Sequence, residues 1–79
     1  MFSNVRNYLN NKDYNINITN NYIYITNYKK INTIEKSKIR ITFDSFLLII
    51  DGENMSIDKL LDSEVLFNGK IDKVVFEYK

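Results

Sequence analysis

From Tyr14 onward the chain alternates apolar and polar residues with a period of two, in short runs such as YNINIT, YIYIT, KIRITF, FLLIID and KVVFEY. Side chains on a strand point alternately to opposite faces, so this period predicts a string of short strands, each with one buried and one solvent face. Register then follows from whichever turn keeps the apolar side chains on one face. A turn at Asn20-Asn21 opposes Ile18 to Ile23 and Ile16 to Ile25, and asparagine tolerates the left-handed backbone that such a turn needs. A turn at Asp44-Ser45 opposes Phe43 to Phe46, Ile41 to Leu48 and Ile39 to Ile50. A turn at Gly52-Glu53 opposes Ile50 to Met55 and Leu48 to Ile57, with glycine in the first central position of a type II′ turn.

Asn68-Gly69 is the strongest short-range hairpin signal in the chain, yet a turn there mixes apolar and charged residues on one face by opposing Phe67 to Lys70 and Val65 to Asp72. Placing the turn at Asp72-Lys73 opposes Ile71 to Val74, Gly69 to Phe76 and Phe67 to Tyr78, which keeps the face apolar. Asn68-Gly69 therefore belongs inside a strand, with Gly69 marking a bulge or bend or lying under the ring of Phe76. Connections near residues 27–29, 35–37 and 61–63 fit the alternation less well and predict bulges or longer loops.

The predicted fold is all-β: an antiparallel meander of about eight short strands over residues 14–79, curled or closed into a small barrel so that its single apolar face is covered. Residues 1–13, with Phe2, Val5 and Leu9 at helical spacing, form a short N-terminal arm or helix. The predicted inward set is Ile16, Ile18, Ile23, Ile25, Ile31, Ile34, Ile39, Ile41, Phe43, Phe46, Leu48, Ile50, Met55, Ile57, Val65, Phe67, Ile71, Val74, Phe76 and Tyr78.

Composition narrows the function classes. Seventy-nine residues make one domain with a small core. Cysteine and histidine are both absent, which removes disulfides, thiol catalysis, thiolate metal sites and the commonest general base. The carboxylates Asp44, Asp51, Glu53, Asp58, Asp62, Glu64 and Asp72 fall at predicted turns and strand ends, where turn chemistry places them routinely. No catalytic residue, metal ligand or cofactor is assigned, and the expected class is non-enzymatic. The longest apolar run, FLLII, is too short to span a bilayer, and no signal-peptide core stands at the N-terminus, so direct membrane insertion is not expected.

Two surface features remain. The register that buries Leu48 and Ile50 turns Leu47 and Ile49 outward among Arg40, Thr42, Ser56 and Asp58, an apolar spot in a polar rim that suits a protein partner or the N-terminal arm. Tyr22 and Tyr24, assigned with Leu47 and Ile49 to the partner surface, face away from Ile23 and Ile25, with Lys29 and Lys30 just beyond. These four form an alternative stacking surface for single-stranded nucleic acid. Eleven basic against ten acidic residues, scattered along the chain, argue against that alternative. Gly52 and Gly69 are assigned structural roles.

Over residues 14–78, the segments YIYITNYKKI, KIRITFDSFLLIIDGENMSI and SEVLFNGKIDKVVFEY resemble the YabP/YqfC family of sporulation proteins, and within it the YqfC-like members. Lys29-Lys30 departs from the family pattern, which commonly has a basic residue followed by glycine there. The resemblance implies a small mother-cell protein without enzymatic activity, resembling assembly or scaffolding factors of the spore envelope. It implies a cytoplasmic location, peripheral to a membrane through a partner such as a YqfD-like membrane protein, or self-association. The family offers no catalytic residues to carry over.

Overall fold

The computed structural model describes residues 14–79. The predicted arm over residues 1–13 lies outside the described residues. The strands are β1 (Asn15–Ile18), β2 (Tyr22–Thr26), β3 (Lys30–Ile34), β4 (Lys38–Thr42), β5 (Phe46–Leu61) and β6 (Glu64–Tyr78). All pair antiparallel in one sheet of order β1-β2-β6-β5-β4-β3, which curls but does not close. The fold is all-β, as the alternation predicts, and no helix among the described residues is long and apolar enough to cross a membrane.

Two of the predicted hairpins form in the predicted register. Ile18 faces Ile23 and Ile16 faces Ile25 across the turn at Asn20-Asn21, where Thr19 Oγ1 accepts from the amides of Asn21 and Tyr22. At Asp44-Ser45, Ile41 faces Leu48 and Ile39 faces Ile50, while the rings of Phe43 and Phe46 stack with centroids 4.6 Å apart.

The expected turns at Gly52-Glu53 and Asp72-Lys73 do not form. Both pairs lie inside strands, and the reversal occurs at Asp62-Ser63, which joins Leu61 to Glu64. Six strands therefore replace about eight, because β5 and β6 each run through a predicted turn. The physical reason is that strict alternation is not kept. Register slips between Asp51 and Gly52, between Glu53 and Ser56 and between Ile57 and Lys59 let the ladder shift faces without reversing. Asn68-Gly69 does lie within a strand, as the face argument requires.

The long β5–β6 hairpin bends near its middle, where Asn54 has φ 53° and Gly69 has φ 140°. Gly52 and Met55 donate to the carbonyls of Ser37 and Lys36 in the β3–β4 turn, and Gly69 and Ile71 donate to those of Asn21 and Asn20 in the β1–β2 turn. Each short turn is thereby fastened to the bend. One half of the sheet holds β1, β2 and the first part of β6; the other holds β3, β4 and the first part of β5.

Inner side chains from both halves make a single core of Ile23, Ile25, Ile39, Ile41, Phe43, Phe46, Leu48, Ile50, Met55, Val65 and Phe67, all in the predicted inward set. Ile16, Ile31, Ile71 and Val74 pack partly against it. The remaining five of that set, Ile18, Ile34, Ile57, Phe76 and Tyr78, are exposed. Ile18 and Ile34 end edge strands, Ile57 sits among the register slips, and Phe76 and Tyr78 lie in the last part of β6, beyond its pairing with β2, where it has a neighbour on one side only.

Candidate functional site

Leu47 and Ile49 are half-buried on the outer face of the β4–β5–β6 half. Their neighbours on β4 are Thr42 and Arg40, as predicted; on β6 they are Glu77 and Val75. Ser56 and Asp58 are not beside them, because β5 continues outward and Ser56 faces Asn68, to which its hydroxyl donates at 3.3 Å. Val75 is the residue that alternation overlooked. Its signal was the doublet Val74-Val75: two consecutive apolar residues on a strand cannot share a face, and Val74 points to the core.

Tyr22 and Tyr24 lie on the other half of the sheet. With Leu66 and the polar side chains of Asn17, Asn68 and Asp58 they line an open groove of about 540 Å³. The Tyr24 hydroxyl donates to Glu64 Oε1 at 2.7 Å. That hydrogen bond, then burial and the carboxylate's negative charge, push the phenol above its ordinary pKa and hold it protonated. Along β6 the two outer patches are separated by the stretch from Leu66 to Val75, about 30 Å of strand at ~3.3 Å per residue. Register thus brings Leu47 together with Ile49, and Tyr22 with Tyr24, but not the two pairs with each other.

Lys29 and Lys30 line a different concavity of about 830 Å³, between the start of β3 and the tip of the β5–β6 hairpin, alongside Leu60, Leu61, Asp62 and Glu64. Lys29 pairs with Asp44 at 3.3 Å, an exposed contact of small energetic value. The tyrosines and lysines of the alternative nucleic-acid surface therefore belong to separate grooves.

The sequence profile of the YabP family matches residues 10–79, a span that takes in all six strands. The chain belongs to the YabP family. No curated protein and no solved structure matches it. Among the described residues of this YabP-family chain, no three carboxylates come together as a metal site would require. The two glycines act on the backbone: a Cβ on Gly52 would meet the Lys70 carbonyl oxygen at 2.2 Å, and one on Gly69 would meet the Met55 Cα at 2.7 Å. On the outer face of this family member, Leu47, Ile49 and Val75 form one apolar group, framed by Arg40, Thr42 and Glu77.

Proposed function

We propose that this protein is a non-enzymatic, sporulation-associated assembly factor of the spore envelope, working through protein contacts made by its Leu47–Ile49–Val75 face. The reading places it closest to the YqfC-like members, in the mother-cell cytoplasm, with a YqfD-like membrane protein or a second copy of the chain as partner. The observation that carries it is three half-buried aliphatic side chains side by side on the outer face, inside a polar frame. A strand's outer face in water favours polar residues, so a cluster of three apolar ones there suits contact with another protein. The nucleic-acid alternative has less support: Lys29 is held by Asp44, Tyr24 by Glu64, and the two pairs line separate grooves.

The test is complementation in the spore-forming host. Deletion of the gene should lower the yield of resistant spores, and Leu47→Lys with Ile49→Lys should fail to restore it while accumulating to normal levels as folded protein. Normal sporulation without the gene would remove the sporulation reading. Full rescue by the double lysine variant would remove the surface.

A further inference from the structure

On the side away from β5, β6 is paired with β2 only as far as Asn68, followed by the amide bonds of Gly69 and Ile71 to the β1–β2 turn. Beyond that, no strand among the described residues pairs with this edge. Hydrogen bonds at the β4–β5 corner show which backbone groups are left open. Phe43 donates to the Phe46 carbonyl at 2.9 Å, and Lys79 donates to the Ser45 carbonyl at 3.1 Å. Phe46 therefore directs its polar groups to β4, while Ser45 and Leu47 direct theirs to β6. By alternation Lys73, Val75 and Glu77 bond to β5, and Val74, Phe76 and Tyr78 present N–H and C=O at the open edge.

An unpaired edge is a template for another strand, and natural edges are commonly guarded by charge, especially lysine. This edge carries Lys73 and Glu77, opposite in sign and equidistant from Val75. The ion pairs among the described residues, Lys29–Asp44 and Lys38–Asp51, use neither of them. Phe76 and Tyr78, 41% and 68% exposed, lie on the same edge.

We propose that residues 73–77 of β6 pair antiparallel with the same residues of a second copy of the chain, about a two-fold axis at Val75. The proposal deepens the assembly reading and rests on its premise that the protein works through protein contacts. In this register Lys73 stands opposite the partner's Glu77, and Val74 opposite the partner's Phe76, so the open backbone groups meet in pairs. The two Val75 side chains meet at a non-hydrogen-bonded position, where cross-strand approach is closest. The same axis places each Leu47–Ile49–Val75 group beside its copy, in a self-complementary interface. A shift of two residues either way opposes Lys73 to valine or Val75 to glutamate and loses the charge match. Charge complementarity thus selects a copy of this chain as the occupant and the register it takes.

The experiment measures solution mass of the full chain by light scattering across a concentration series, with circular dichroism on each sample. Wild type should appear at twice the chain mass. Glu77→Lys and Lys73→Glu alone should each weaken association by roughly tenfold or more, since like charges then face across the axis. An equimolar mixture of the two should regain the doubled mass, because every facing pair is again opposite. Should either single variant be unfolded, the double variant Lys73→Glu with Glu77→Lys takes its place and must associate as wild type does. A wild type that stays monomeric overturns the proposal and leaves the edge to residues 1–13 or to a different protein. Association indifferent to both charge changes also overturns it. If Leu47→Lys with Ile49→Lys disperses such an assembly, the edge pairing has failed while the apolar face, tested separately by complementation, stands.

Discussion

A side chain on Gly69 would place its Cβ 2.7 Å from the Met55 Cα and 2.9 Å from the Asn54 carbonyl oxygen, on a backbone whose φ of 140° L-residues rarely adopt. Both penalties act on backbone rather than on a movable side-chain tip, so relaxation means shifting β5 against β6. Gly69→Ala should lower unfolding free energy by roughly 2 kcal/mol or more, a large share of what a domain of this size possesses. The check is a urea midpoint against wild type, with Lys70→Ala, an exposed neighbour, as the control. A midpoint equal to that of the control would mean the bend tolerates a side chain. The place of Gly69 inside a strand was legible from the sequence, because a turn there would have mixed faces. Its reason was not legible: the backbone it must clear belongs to Met55, brought near only when β5 and β6 pair.

Among the elements, the hairpins whose turns flank uninterrupted alternation were readable to the residue, as Ile41 against Leu48 and Ile18 against Ile23 show. The long strands were not, since each bulge inverts the faces and alternation carried past it puts a turn where the chain runs on. Phe46 and Phe76 display the difference. Both belong to the predicted inward set, and their rings lie 5.3 Å apart. Phe46 is fully buried under Tyr14, Phe43 and Tyr78, whereas Phe76 sits on the open edge, 41% exposed. Phe46→Ala should cost about 3–5 kcal/mol, and Phe76→Ala less than half of that, as burial is partial. Denaturant unfolding of the two variants checks this. Equal losses would show that Phe76 is as enclosed as Phe46 and that the edge is covered in solution.

For the whole molecule, the order β1-β2-β6-β5-β4-β3 joins β2 to β6, although Tyr24 and Glu64 are 40 residues apart. Nothing in local patterning marks that pairing, because any strand with an apolar inner face would satisfy either partner equally well. Topology follows instead from which edge remains when the run β3 to β6 has formed, and this suggests an order of events. Closing the two-residue loop at Asp44-Ser45 costs little chain entropy, whereas bringing β2 to β6 closes a loop of dozens of residues before any contact compensates. The β4–β5 hairpin should therefore be structured in the folding transition state, and the β2–β6 pairing completed after it. Ile41→Val and Ile23→Val remove one methylene each from fully buried positions on β4 and β2, costing about 1 kcal/mol apiece, enough for a kinetic partition to be read. Ile41→Val should chiefly slow folding and Ile23→Val chiefly speed unfolding, measured as the two arms of a stopped-flow chevron. The opposite partition would mean that β2 meets β6 first and that the bend at Gly69 is set before the β4–β5 corner. The predicted order leaves the β2-facing edge of β6 open until late, so the interval before β2 docks is when the chain is most exposed to pairing with another copy in a wrong register.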